Sequence, residues 1–236
     1  MTAIAKRLEA RLKRGGNKEK ARLAQRFFRT GPGEYGEGDR FLGYTVPETR
    51  LLAREAMGLT REDLAALLES PWHEVRLLAL IVLTKQASRL KTAPARSELA
   101  QWVLAHRAGI NNWDLVDVSI PILIGAVEPS AVWIKTMRGL LASPHLWDRR
   151  IAMLTTLGWM RQGTLAPVCT FAAECLHDQE DLMHKATGWM LREAGKRDQA
   201  LLKQFLDRYR LKMPRTMLRY AIERFSPEER RTYLTK

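Results

Sequence analysis

Ser70-Pro71-Trp72-His73-Glu74-Val75-Arg76-Leu77-Leu78-Ala79 returns 73 residues later, without a gap, as Ser143-Pro144-His145-Leu146-Trp147-Asp148-Arg149-Arg150-Ile151-Ala152. Each copy opens on a serine able to cap a helix and a proline suited to the first turn, where its missing N–H costs nothing. Each then carries an Arg-x-x-Ala step whose alanine lets a neighbouring helix pack closely. The spacing corresponds to two units of about 36 residues, the period of helix pairs stacked as an α-solenoid. That is short for a HEAT repeat, but the chain lacks the tryptophan–glycine–tyrosine pattern of tetratricopeptide repeats, so HEAT-like is the better description.

Working outward, nearly every segment is an amphipathic helix with punctuation every 12 to 18 residues. The pattern predicts helices near 2–14, 18–29, 48–57, 60–69, 72–87, 95–107, 112–127, 130–142, 145–161, 164–177, 180–195, 198–209, 215–224 and 227–235. Gly31 to Val46, with five glycines and a proline among Tyr35, Arg40, Phe41 and Tyr44, is the one long loop; such loops are often functional. No segment alternates with period two. The expected architecture is all-α: a right-handed α-solenoid of HEAT-like helical repeats, one domain over 1–236, with a basic concave face.

Composition points to the partner. The 236 residues are 46% hydrophobic, enough for a real core, and carry 39 Lys plus Arg against 26 acids, a net charge of +13. The charge is spread along the whole chain, which suits a folded surface following a phosphate backbone. Cys169 and Cys175 are too few for a disulfide framework and are expected to be small core residues. The five histidines show no ligand spacing, so neither metal nor cofactor is expected. No apolar run approaches a membrane span of roughly 20 residues, and no signal peptide is recognisable, so the expectation is a cytoplasmic, nucleoid-associated protein.

Three helices carry polar or aromatic residues oddly placed for a simple core. In Asn111-Asn112-Trp113-Asp114-Leu115-Val116-Asp117, Asn111 is expected as N-cap and Asp114 as a first-turn acid. Asp117 instead lies on the stripe 113, 117, 120, 124, among Trp, Ile and Ile. A carboxylate there is either a structural ion-pair partner or held for catalysis, and spacing leaves both open. Arg150 breaks a second apolar stripe, 33 residues on, as a partner for Asp117 or a clamp on phosphate. In Lys185-Ala186-Thr187-Gly188-Trp189-Met190-Leu191-Arg192, 39 residues further, Gly188 predicts a close approach, while Trp189 suits a core or a site.

Trp113-Asp114-x-x-Asp117, Trp147-x-x-Arg150 and Lys185-Ala-x-Gly-Trp189-x-Leu-Arg192, in this order and spacing, closely resemble the DNA alkylation repair family of HEAT-like DNA glycosylases, the AlkD-like proteins. The similarity extends to Tyr35–Gly43 and Pro47-x-x-Arg50. It implies catalytic positions at Asp117, Trp113, Trp189 and Arg150, with Arg149 leaving a one-residue ambiguity. Arg149, Lys185, Arg192, Arg76 and Arg40 are expected at the DNA. Where relatives place an aromatic before the motif tryptophan, this chain has Asn112, and relatives also differ in the length of the 31–46 loop.

The resemblance implies a glycosylase acting on double-stranded DNA with alkylated purines and cleaving without a tight pocket around a flipped base. No lysine stands out as a Schiff-base nucleophile, so a monofunctional enzyme is expected, and a monomer, since a solenoid gripping a duplex has no need of a partner. The alternative is a non-enzymatic basic HEAT-like protein that binds branched or distorted DNA. A carboxylate facing a polyanion has no use in that alternative.

Overall fold

The computed structural model describes residues 2–235. The chain is all-α, with no strand among the described residues. In order the helices are α1 (Ala3–Gly15), α2 (Lys18–Phe27), α3 (Val46–Glu55), α4 (Arg61–Leu68), α5 (His73–Ala87), α6 (Ala93–Ala105), α7 (Trp113–Ile124), α8 (Ala131–Leu141), α9 (Leu146–Arg161), α10 (Ala166–Glu174), α11 (Asp181–Gly195), α12 (Gln199–Tyr209), α13 (Arg215–Ala221) and α14 (Pro227–Leu234). Each predicted helix is present. The largest trims are at α10 and α7, which are shorter at both ends than the expected 164–177 and 112–127. A short 3-10 turn, Arg107–Gly109, was not expected and joins α6 to α7. No described helix is long and apolar enough to cross a membrane.

Two compact units divide within α7: Met1–Ile122 and Leu123–Lys236. In the first, α5 packs on α3 and α4, and α4 on α1. In the second, α9 and α11 are central, with α8, α10, α12 and α13 against one or both. The repeated stretch introduces the most buried helix of each unit. Every residue from His73 to Leu83 in α5 is buried, as are Ile151–Thr156 and Gly158–Met160 in α9. Ala79 and Ala152, the alanines of the Arg-x-x-Ala step, are wholly buried, as close helix packing requires.

The start of these helices differs from expectation. Ser70 and Ser143 do not cap, because α5 begins at His73 and α9 at Leu146, three residues later. Each serine hydroxyl instead accepts from the amide two residues on, Trp72 at 3.3 Å and His145 at 3.2 Å, forming a bend before the helix. The helix then clamps its own entry. Arg76 Nη1 donates to the Ser70 carbonyl at 2.7 Å, and Arg149 Nη1 donates to the Ser143 carbonyl at 3.1 Å.

Gly188 stands where α13 crosses α11. A Cβ there would lie 2.4 Å from the Met217 carbonyl oxygen and 2.6 Å from Tyr220 Cβ, the close approach that the mid-helix glycine predicts.

Candidate functional site

The head of α5 organises the first unit through a buried polar network. Glu74, almost fully buried, accepts three consecutive backbone amides: Leu42 at 2.8 Å, Gly43 at 2.7 Å and Tyr44 at 3.2 Å. The 31–46 loop is thereby fastened to the helix. Gly43 is required there, with φ of +91° and a Cβ position 2.1 Å from the Asn17 carbonyl oxygen. Asp39 accepts from Arg76 Nη2, from Asn112 Nδ2 at 3.1 Å and from its own neighbour's amide, Arg40 N, at 3.0 Å. Its other close partner is His73, whose Nδ1 lies 2.8 Å away, while His73 Nε2 is 2.9 Å from Asp114. Burial pushes the Asp39 carboxyl up, but His73 and Arg76 outweigh it and hold the group below the usual carboxylate range.

These contacts correct several expectations. Asn111 does not cap α7; its Oδ1 accepts from Arg76 Nη2 at 2.9 Å, and Asn112 Oδ1 meets the first helical amide, Trp113 N, at 2.9 Å. Asp114 is the first-turn acid expected, and its carboxylate also lies against His73 Nε2. Arg76, expected at DNA, is buried, with terminal nitrogens on Ser70, Asp39 and Asn111, so the fold itself occupies it. Arg40 is exposed and available, its guanidinium 4.4 Å from the Trp72 ring centroid.

Trp113 and Asp117 lie one turn apart on α7 and are both half-buried. The Trp113 indole stacks on Phe28, with centroids 5.3 Å apart and planes at 25°, and Phe27 meets it edge-on at 6.0 Å. Phe28 lies in turn against Phe41 and His73, at 5.0 Å from each. Phe27 is 66% exposed beside this cluster. The sequence reading missed both phenylalanines and the His73 network. The available signals were the Phe27-Phe28 pair just before a glycine-rich loop, and the adjacent His73-Glu74 opening a helix whose residues 75–83 are apolar apart from Arg76.

The second unit holds Arg149, Arg150, Lys185, Trp189 and Arg192. Arg149 grips Asp178 with Nε at 2.7 Å and Nη2 at 3.2 Å, and Nη1 binds the Ser143 and Pro144 carbonyls. It is the structural counterpart of Arg76 and, like Arg76, is taken up by the fold. Arg150 is buried, and its Nη1 donates to the Leu182 carbonyl at 3.0 Å. Trp189 is half-buried, with Nε1 donating to Glu193 at 3.3 Å. Lys185 pairs with Asp181 at 2.8 Å, and Arg192 with Glu223. Cys175 is buried, and burial, helped by nearby Asp178 and Glu174, pushes its thiol up to about 12 and leaves it a core residue without nucleophilic character. Among the described residues no cluster of three or more His, Cys, Asp or Glu side chains could hold a metal ion.

The family model described as DNA alkylation repair enzyme matches residues 8–225. The chain belongs to the DNA alkylation repair enzyme family. A solved structure titled as a predicted DNA alkylation repair enzyme from Enterococcus faecalis shares the fold, with a TM-score of 0.66 over 90% of this chain and 97% of that one, at 16% identity. No curated protein matches. As a DNA alkylation repair enzyme the chain binds DNA, which agrees with its charge of +13.

Proposed function

We propose that this repair enzyme is a monofunctional DNA glycosylase that hydrolyses the N-glycosidic bond of cationic alkylated purines, 7-methylguanine and 3-methyladenine, in duplex DNA. The observation that carries the reading is Asp117, a half-buried carboxylate one turn from a stacked indole, in a chain of +13 charge. A surface built only to bind phosphate gains nothing from a negative charge there.

The chemistry suits these groups. An N7- or N3-alkylated purine is already cationic and leaves without protonation, so no strong acid or cofactor is needed. As the bond breaks, positive charge moves onto the deoxyribose, as in glycoside hydrolysis. Asp117 stabilises that charge and orients or deprotonates the attacking water. Trp113 and Trp189 each present an electron-rich face to the sugar, a cation–π effect of about 0.5–2 kcal/mol. Arg150 holds a backbone phosphate near the lesion, and Arg40, Lys185 and Arg192 contribute to the backbone contacts of a monomer on duplex DNA. No lysine is placed as a Schiff-base nucleophile in this scheme, so the product is an abasic site.

The test is single-turnover release of free base from a duplex carrying one 7-methylguanine, comparing wild type with Asp117→Asn. The expected result is release by wild type and a loss of at least about 100-fold in the variant, with duplex affinity nearly unchanged, because a transition-state interaction is deleted. Wild-type turnover by the variant overturns the role of Asp117. No release by wild type from this or a 3-methyladenine duplex, with salt-sensitive binding retained, overturns the glycosylase reading in favour of the non-enzymatic binder. Borohydride trapping of enzyme on DNA overturns the monofunctional claim.

A further inference from the structure

The network at the head of α5 has no part in that chemistry, yet it ends on Trp113. His73 is 2% exposed, and both of its ring nitrogens are committed, Nδ1 toward Asp39 in the 31–46 loop and Nε2 toward Asp114 in the first turn of α7. Its ring lies against Phe41, with centroids 4.4 Å apart, and against Phe28, the ring on which the Trp113 indole stacks. Asp114 is the chain neighbour of Trp113. His73 therefore reaches that indole by two routes, one through the helix backbone and one through the aromatic stack. An apolar side chain would fill the same space without desolvating three ionisable groups. What the histidine adds is a directional tie.

We propose that His73 is a positioning residue for the repair reaction, fixing the plane of Trp113 by tying the first turn of α7 to the loop through Asp114 and Asp39 while supporting Phe28 under the indole. Its geometry is independent of the glycosylase reading, and its consequence for rate rests on that reading.

The tie needs the doubly protonated ring, because a neutral imidazole can donate to one carboxylate only. Burial works against the charge, but Asp114 and Asp39 outweigh it and raise His73 to about 9. The other charged groups of the network are committed elsewhere, Arg76 on Asp39 and Glu74 on the loop amides. With the folded value raised, the tie is complete below the ordinary histidine value of about 6.5 and is lost as pH rises through about 9.

Two measurements test this on the full chain. The first is the pH dependence of the near-UV circular dichroism that Trp113 contributes, taken as wild type minus Trp113→Phe. It should change with a midpoint near pH 9, and lose that transition in His73→Gln. A Trp113 signal flat from about pH 7 to 10 in wild type overturns the proposal, even if the variant fails to fold. The second is single-turnover base release near pH 7.5. His73→Gln should slow it at least about tenfold while duplex Kd stays within about twofold. An unchanged rate, or a loss of rate matched by an equal loss of affinity, overturns the positioning role. If wild type releases no base, the glycosylase reading fails, and the Trp113 signal alone decides whether the tie exists.

Discussion

At Ser70 the chain bends into α5, and at Ser143 it bends into α9. Both bends carry the same hydroxyl-to-amide contact and the same arginine returning to the serine carbonyl. In both, that arginine is held by an acid outside the helix, Asp39 for Arg76 and Asp178 for Arg149. They differ one residue later. Leu77, fully at home in an apolar core, is matched by Arg150, a buried cation. They also differ at Glu74, which fastens the loop and is matched by Trp147. The shared arginine belongs to the architecture, and a residue unique to one copy points to what that copy does beyond folding.

The strongest way to break this comparison is Glu74→Ala. Three backbone amides lose one buried acceptor, so chemical denaturation should show a loss of about 3–5 kcal/mol, with the loop released. Arg149→Leu should cost about 2–4 kcal/mol, since Asp178 is left nearly buried without its two-pronged partner. At 25 °C, where it stays folded, this variant should retain most of the single-turnover rate. Arg150→Leu, which copies the first bend into the second, should reverse that profile. The Leu182 carbonyl loses a donor, for about 1 kcal/mol, while base release falls at least tenfold. If Arg149→Leu loses rate and Arg150→Leu does not, the two assignments must be exchanged. The smallest effect belongs to Ser70→Ala and Ser143→Ala. Ser70→Ala removes one bend contact and should cost under about 1 kcal/mol, while Ser143→Ala also removes the donation from Ser143 Oγ to the buried Asp148 at 2.9 Å and should cost about 1 kcal/mol more.

Much of the architecture was legible from local rules. Helix periodicity and the gapless repeat needed no long-range information, although Pro71 and Pro144 precede their helices rather than filling the first turn, and Gly188 announced the α11–α13 crossing because a mid-helix glycine is costly without a reason. The site was legible only in part. That Asp117 and Trp113 share a face follows from helical spacing, but the partners of Asp114, Arg76 and Arg149 lie 41, 37 and 29 residues away in sequence. Basic residues in a basic chain look alike in sequence, whether they reach solvent or an internal acid. The Phe28–Trp113 stack was hidden for the same reason, since it joins the end of α2 to the start of α7.

Glu74 also sets where this chain can change length. Leu42, Gly43 and Tyr44 must present three successive amides to one carboxylate, so adding or deleting a residue there would put the wrong groups in register. Pro32 and Gly33, at the exposed tip of the same loop, face no such requirement. Insertions that distinguish one relative from another belong at that tip, and the stretch beside Glu74 should keep its residue count while its neighbours drift.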